Sequence, residues 1–221
     1  MKKNLICLIL LFFYVSLISN AEEPKYEKQS DKKNEFQKVH EYIYTEMILE
    51  DFETTTYSDD NLKSMQRDTQ GVLTISDQYP APINNSKKYL GIKVYAKKGN
   101  TFRIEPAQPI EITKYCTTIS MWVYGEKIAG EISIMLQDSL RNNHLLNFGS
   151  AASPGWKKIS QNLGTKIKQH VDYLGSENPI KILYIQYRAA GRVHPEWQFF
   201  YIDDITATVR DKYMDRQADD W

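Results

Sequence analysis

The chain has 221 residues, in which 28 lysines and arginines balance 28 aspartates and glutamates, and 15 residues are tyrosine. Formal neutrality argues against a dedicated nucleic-acid binder, which normally carries a basic surplus, and against a highly charged disordered chain. A hydrophobic content of 42% is enough for the core of one β-rich domain or two small ones. Ordinary glycine and proline counts exclude collagen-like and low-complexity classes.

The first 21 residues have the three-part pattern of a secretory signal. Two lysines give a positive start, an apolar run extends from Leu5 to Ile18, and Ser19-Asn20-Ala21 supplies the small residues of a cleavage site. The run is shorter than the span of about 20 residues that crosses a membrane. We therefore expect a cleaved signal peptide, export to the periplasm and no stable membrane span in the mature protein.

Two charged segments flank the region that is expected to fold. Residues 22–45 form a charged N-terminal arm in which 11 of 24 side chains are charged, and residues 210–221 form a charged C-terminal tail. Residues 46–209 are the predicted domain. The mature chain has 26 basic and 28 acidic side chains and one thiol, Cys116, so it has no internal disulfide framework. We expect Cys116 to act as a small buried hydrophobic residue.

Apolar residues in this domain recur with a period of two. The clearest case is Ile119, Met121 and Val123, which alternate with polar or aromatic neighbours up to Gly125. Together with this strand, we predict strands over Met47–Glu53, Gly71–Ser76, Tyr89–Tyr95, Thr101–Glu105, Glu131–Leu136, Leu145–Phe148, Trp156–Ser160, Ile182–Arg188 and Gln198–Val209, with turns at 79–82, 98–100, 125, 149, 154–155 and 164. About ten short strands predict an antiparallel sandwich or barrel, and we favour an all-β fold, an antiparallel β-sandwich of the jelly-roll, carbohydrate-binding-module-like kind.

The sequence contains none of the catalytic motifs that we sought. There is no GxSxG, HExxH or P-loop, and the glycine-containing stretch 149–155 lacks the lysine and the helix that phosphate binding requires. The four histidines, at positions 40, 144, 170 and 194, are too scattered to indicate a zinc site. We therefore expect a protein that is not an enzyme, although a glycan-acting enzyme without these motifs is a third hypothesis.

Acidic residues occur in both the first and the last predicted strand. Asp51 and Glu53 belong to the first, and Asp203 and Asp204 belong to the last. In jelly-roll carbohydrate-binding modules, similar strands pair and supply oxygen ligands to a structural calcium ion, and carboxylates suit Ca²⁺. These four residues are therefore candidate ligands of a structural Ca²⁺. The alternative is that they cap a sheet edge or form salt bridges with neighbouring lysines.

Several aromatic residues lie on or beside predicted strands. They are Trp122, Tyr124, Trp156, Tyr187 and Trp197. On the outer face of a sandwich such rings could stack against sugars or anchor a protein interface, and half-buried rings under loops are the alternative for each. We take Trp122, Tyr124, Trp156 and Trp197 as candidate interaction residues.

The order of the motifs resembles that of the FlaA family of spirochaetes, which form the outer layer, or sheath, of periplasmic flagellar filaments. The ordered set covers most of residues 46–209 and comprises 89–94 (YLGIKV), 99–106 (GNTFRIEP), 109–112 (PIEI), 119–125 (ISMWVYG), 134–138 (IMLQD), 146–150 (LNFGS), 155–159 (GWKKI) and 200–205 (FYIDDI). One departure is that residues 164–167 lack the proline expected after the Gly-Trp strand.

The resemblance implies a non-enzymatic sheath protein that coats a flagellin core and affects filament shape, stiffness and motility. Its partners would be flagellin core subunits, other sheath proteins and neighbouring copies of itself, with no nucleic acid. A signal peptide and a β-rich pattern also argue against a conventional core flagellin, which has helical ends and no cleaved signal. The alternative function is that of a secreted or periplasmic carbohydrate-binding module.

Overall fold

The computed structural model describes residues 43–83, 85–169 and 178–211. The predicted signal peptide, nearly all of the predicted arm and all but the start of the predicted tail lie outside the described residues. Within the described part of the chain, no helix has the length and apolar character needed to cross a membrane.

The described residues form twelve strands and one short 3₁₀ turn at Asp59–Asn61. The strands are β1 Thr45–Glu50, β2 Leu62–Ser64, β3 Gln70–Ser76, β4 Tyr89–Ala96, β5 Thr101–Ile104, β6 Ile110–Ile112, β7 Tyr115–Gly125, β8 Glu131–Gln137, β9 Asn143–Ser150, β10 Ser153–Asn162, β11 Ile180–Arg188 and β12 Glu196–Arg210.

The strands build two six-stranded antiparallel sheets. The first, here called the front sheet, has the order β10-β7-β12-β4-β3, with β1 also paired to β12. The second, the back sheet, has the order β2-β5-β11-β8-β9, with β6 also paired to β11. The alternating apolar residues of both sheets face each other and form the core. The predicted antiparallel β-sandwich is confirmed.

Strand β12 organises the front sheet because it is long enough to pair with three strands. Its first half, Glu196–Ile202, pairs with β4, its second half, Ile205–Val209, pairs with β1, and β7 runs along most of its other side. The two halves are separated by a β-bulge at Asp203 and Asp204, where Asp204 has a positive φ of 41°. The bulge inserts an extra residue, so that Ile202 and Ile205 both point into the core.

All ten predicted strands have counterparts, but several boundaries differ. The first strand ends at Glu50 instead of Glu53, because the Glu50 carboxylate accepts a hydrogen bond from the Phe52 backbone N–H at 2.9 Å and Phe52 adopts a positive φ of 57°. The short strands β2 and β6 were not predicted, since three residues are too few to display an alternation.

Two of the predicted turns are wrong. Gly149 lies inside β9, and the pair Pro154 and Gly155 lies inside β10. Gly149 has a φ of 86° and faces a register shift in the β8–β9 pair, and β10 has a register shift between Ser153 and Lys157. Glycine and proline occur at irregularities within strands as well as in turns, and these residues mark such irregularities in strands that continue.

Cys116 is a free, fully buried thiol at the start of β7. Burial raises the pKa of this thiol to about 12, so it remains protonated and unreactive. The Gln169 side chain pairs with the Cys116 backbone, accepting from its N–H and donating to its C=O, both at 2.7 Å. Cys116 is therefore a buried structural residue, as predicted.

A buried polar network joins the two sheets. The Tyr187 hydroxyl on β11 donates a hydrogen bond to Gln198 Oε1 on β12 and accepts one from the Gly130 backbone N–H, both at 2.7 Å. The Gln198 Nε2 donates in turn to the Ala190 carbonyl at 2.8 Å. Tyr187 and Gln198 are both fully buried, so every polar group in this network depends on its partners.

The substitution Tyr187→Phe removes one hydroxyl and leaves the Gly130 N–H and the Gln198 amide oxygen without that partner. Because an unsatisfied buried polar group costs about 1–3 kcal/mol, we expect the free energy of unfolding to fall by about that amount in a urea titration. Tyr184→Phe on the same strand is the matched control, because the Tyr184 ring packs beneath Arg103 and its hydroxyl has no hydrogen bond among the described residues. Equal stability of the two variants would contradict the network's role.

Candidate functional site

The outer face of the front sheet carries aromatic residues from its central strands. Tyr201 of β12 lies directly opposite Tyr124 of β7 on one side and Gly91 of β4 on the other. All three are at outward positions, since their neighbours Phe200, Val123 and Leu90 are buried in the core. Tyr201 therefore has a tyrosine directly opposite it on β7 and a residue without a side chain directly opposite it on β4, and it stays partly exposed.

Four rings on this face contact each other, and we call Tyr89, Tyr124, Trp156 and Tyr201 the aromatic cluster. The Tyr124 and Tyr201 rings stack with centroids 5.2 Å apart and planes 13° apart. Tyr89 lies 4.8 Å from Tyr201, and Trp156 lies 5.7 Å from Tyr89 and 6.0 Å from Tyr124. Such ring pairs contribute about 0.5–1.5 kcal/mol each beyond the area that they bury. The cluster is therefore a rigid part of the surface.

Trp156 also holds a connection against the sheet. Its indole Nε1 donates a hydrogen bond to the Tyr79 carbonyl at 2.9 Å. Tyr79 belongs to the β3–β4 connection, residues 77–88, and is 64% exposed. Trp156 therefore packs against the other rings of the aromatic cluster and also fixes the backbone of the β3–β4 connection.

A second ring pair stands further along β12. Trp197 is 43% exposed, packs against Tyr95 with centroids 5.3 Å apart, and has the Lys93 ammonium 4.8 Å from its ring centroid. Ammonium groups are attracted to the negative face of an indole ring. Lys93 therefore covers part of Trp197 and is held at the outer surface of β4.

An open groove of about 770 Å³ lies between the aromatic cluster and Trp197. Its floor is Gly91, and its walls come from β3, β4, β12, the residue that follows β7 and Gln78 of the β3–β4 connection. The wall residues that carry its chemistry are Tyr89, Lys93, Glu126, Trp197, Phe199 and Tyr201. The volume is within the roughly 300–1,000 Å³ that is typical of ligand sites. We call this feature the aromatic groove.

The candidate interaction residues take different places on this face. Tyr124 and Trp156 belong to the aromatic cluster, and Trp197 lines the aromatic groove. Trp122 is half-buried next to Asp203 and Lys158 in the sheet and has no ring contact with another described residue. Tyr187 is not on this surface at all, because it is buried between the sheets. The role of the four candidates in an interaction stays a prediction.

Sequence reasoning missed Tyr89 and Tyr201 as members of this face. Both occupy outward-facing positions in strands whose alternation the sequence predicted. That alternation alone indicates that they face away from the core. Their proximity could not be predicted, because it depends on the pairing of β12 with β4 and β7, in which the paired residues are at least 75 positions apart.

Three of the four candidate calcium ligands, Asp51, Glu53 and Asp203, accept hydrogen bonds from protein donors. The buried Asp203 carboxylate accepts hydrogen bonds from the Ser86 hydroxyl at 2.7 Å and from the Ala81 backbone N–H at 3.4 Å. The Glu53 carboxylate accepts from the backbone N–H groups of Lys87 and Lys88, the latter at 2.9 Å. Both acids therefore fasten the β3–β4 connection to the sheet.

The other two acids lie close by. Asp51 accepts a hydrogen bond from the Glu53 backbone N–H at 3.1 Å. Burial is the largest cause that raises the pKa of Asp204, and repulsion from Asp51 and Glu46 raises this pKa further. Across the described ranges, no three His, Cys, Asp or Glu side chains are grouped in a way that could hold a metal ion. A structural calcium ion at these residues stays a prediction.

The buried carboxyl of Asp203 makes stability depend on pH. Burial raises its pKa from 3.8 to about 6, although three hydrogen bonds oppose that shift. The folded protein thus binds this proton more tightly than the unfolded chain, so the resulting stabilisation is complete below about pH 4 and is lost as the pH rises through 6.

Asp203→Asn removes this titration while keeping an oxygen that can accept from Ser86. We expect the melting temperature of the parent protein, relative to that of Asp203→Asn, to fall between pH 4 and pH 7. Glu105→Gln, on a partly exposed loop residue, is the control and should run parallel to the parent. A constant difference between the parent and Asp203→Asn over this range would contradict the assignment.

The solved structures that are similar to this chain include two carbohydrate-binding modules. A family 11 carbohydrate-binding module from Clostridium thermocellum, in complex with a β-1,3-1,4-mixed-linked tetrasaccharide, is 14% identical, with 76% of this chain and 98% of that chain covered and a TM-score of 0.47. A carbohydrate-binding module of the β-sandwich superfamily is 16% identical, with 70% and 59% covered and a TM-score of 0.46. At these values the similarity carries no functional argument.

Sequence comparison is more specific. A flagellar filament outer layer-like protein of Brachyspira hyodysenteriae is 28% identical over 211 residues, which are 88% of this chain and 91% of that protein. The family model of the flagellar filament outer layer protein FlaA matches residues 53–218, about three quarters of the chain and nearly all of the sandwich. Because the match covers both sheets, the chain belongs to the FlaA family of flagellar filament outer layer proteins.

Proposed function

We propose that this chain is a non-enzymatic structural component of the outer layer of a periplasmic flagellar filament. It coats the flagellin core and affects filament shape, stiffness and motility. The observation that supports this function is the family match over residues 53–218. The secretory pattern of residues 1–21 supports delivery to the periplasm, and the partners proposed are flagellin core subunits, other sheath proteins and neighbouring copies.

This proposal predicts that the mature protein co-sediments with purified periplasmic filaments. Deleting its gene should change filament coiling, because the outer layer would lose a subunit that bears on filament shape. Electron microscopy of filaments from the deletion strain, with a complemented strain as control, makes the measurement. Filaments of normal shape, together with a protein found only in the soluble periplasmic fraction, would refute the proposal.

The edge of the front sheet offers a surface for the contacts that a filament layer needs. Strand β1 pairs with β12 and has no second strand partner among the described residues. Ile48 on this strand is 61% exposed, and Ile43, two residues before the strand, is 82% exposed, whereas most large apolar residues in the described part of the chain are buried. Glu46 holds this strand in place by accepting hydrogen bonds from Lys158 and Thr206, both at 2.9 Å. We propose this edge as a contact with a neighbouring subunit of the filament.

Ile48→Lys tests this contact, because a charge there would have to be buried at the subunit interface. We expect at least a tenfold loss in filament co-sedimentation, which corresponds to about 1.4 kcal/mol, with an unchanged melting temperature since the side chain is exposed. Leu145→Lys, on strand β9 at the edge of the back sheet and 49% exposed, is the matched control. If co-sedimentation is lost in Leu145→Lys but kept in Ile48→Lys, the contact lies elsewhere and the proposal for this edge is wrong.

One specific observation favours the alternative function, glycan binding. The aromatic groove combines exposed ring surface with hydroxyl, amide and carboxyl groups, a combination that suits sugar rings better than a purely apolar or purely charged surface. We therefore keep carbohydrate binding as a second proposed function, which is compatible with a place in a filament layer.

A further inference from the structure

We propose that the aromatic groove binds a neutral pyranose chain, with one sugar ring lying over Gly91 against the exposed part of the Tyr201 ring. This inference rests on the second proposed function, glycan binding, and not on filament coating. Its central residues, Gly91 and Tyr201, are not among the candidate interaction residues of the sequence analysis.

The first support is the hollow above Gly91. Its nearest outward neighbours are Tyr89 and Lys93 along β4, Thr74 on β3 and Tyr201 on β12. A Cβ atom at position 91 would lie 3.7 Å from the Tyr201 ring and 3.3 Å from the Thr74 carbonyl. A side chain at position 91 would therefore enter the groove beside the Tyr201 ring, and glycine leaves that position open.

The second support is that the Tyr201 ring is held rigidly in this position. Tyr124 stacks on the side away from Gly91 at 5.2 Å, and Tyr89 and Phe199 lie 4.8 and 6.3 Å away. Ring positions that are fixed before binding reduce the entropy lost when a ligand binds. An aromatic ring of this kind suits the C–H face of a pyranose, which is apolar, while the hydroxyls of the sugar point outward to polar partners.

The third support is that the groove offers polar groups that can form hydrogen bonds with sugar hydroxyls. The side chains of Thr74, Gln78 and Glu126 line the groove and form no hydrogen bond with another described residue, and neither do the hydroxyls of Tyr89 and Tyr201. Burial raises the pKa of Tyr201, so its hydroxyl stays a neutral donor and acceptor. Hydroxyl, amide and carboxyl groups together can both donate to and accept from sugar hydroxyls.

The charge of the groove narrows the ligand class. Its charged lining residues are one lysine, Lys93, and one glutamate, Glu126. A phosphorylated or sulfated ligand would call for a cluster of basic groups, whereas one charge of each sign leaves the groove without a net charge. A neutral polysaccharide is therefore favoured over an anionic one.

The test is affinity electrophoresis of the signal-free chain in gels that contain mixed-linkage β-glucan, xylan or β-1,4-galactan. We expect retardation by at least one of them. Tyr201→Ala should weaken that binding at least tenfold by removing the ring surface, and Gly91→Val should do so by filling the hollow while keeping every ring. Tyr184→Ala on the back sheet is the matched control and should bind like the parent.

Melting curves of each variant separate a lost site from a lost fold. If Gly91→Val is unfolded, Gln78→Ala, on an exposed residue of the groove, takes its place and should weaken binding with the fold intact. Binding that survives in both Tyr201→Ala and the folded groove variant would overturn the assignment of the site.

Filament co-sedimentation of the same variants distinguishes this inference from filament coating. If the parent is retarded by none of the three polysaccharides, the glycan inference is wrong, and normal co-sedimentation would leave the filament function standing. If, in addition, Tyr201→Ala no longer co-sediments, the occupant of the groove is a protein of the filament. Retardation of the parent without co-sedimentation would support the glycan site and contradict filament coating.

Discussion

The bulge in β12 at Asp203 and Asp204 links the packing of the core to the shape of the outer surface. A strict alternation through this 15-residue strand would turn its second half inside out, exposing Ile205 and burying its neighbours. The extra residue preserves the inward phase, so that Phe200 and Ile202 before the bulge and Ile205 and Ala207 after it all lie in the core. The same step lets β12 exchange β4 for β1 as its partner.

A carboxylate at this bulge, that of Asp203, is fully buried. Asp203 lies on the outer side of the strand, where the β3–β4 connection covers it, and it accepts hydrogen bonds from Ser86 and Ala81 in that connection. Trp156 holds the same connection from the neighbouring sheet edge through the Tyr79 carbonyl. Two of the predicted calcium ligands, Asp203 and Glu53, thus fix a loop over the front sheet through their hydrogen bonds.

The register set by β12 places the aromatic face. Tyr201 comes two residues before the bulge, and its two cross-strand neighbours are Tyr124 and Gly91. A shift of one residue in either pairing would separate the stacked rings and move the hollow away from them. The aromatic cluster and the aromatic groove therefore depend on pairings between distant segments, although each residue in them follows the alternation of its own strand. The proposed subunit contact at β1 depends on the second half of the same strand.

The sequence by itself determined the fold class, because inward residues such as Ile119, Met121 and Val123 repeat with the period of a strand. It also determined the family, since the motif order from Tyr89 to Ile205 is a property of the chain alone. Only the tertiary structure decided that Gly149 and Gly155 lie within strands, that Tyr187 faces the core while Tyr201 faces outward beside a hollow, and that Asp203 is buried. The physical reason is that bulges, cross-strand neighbours and loop coverage arise from contacts between residues far apart in the chain, which a local alternation does not encode.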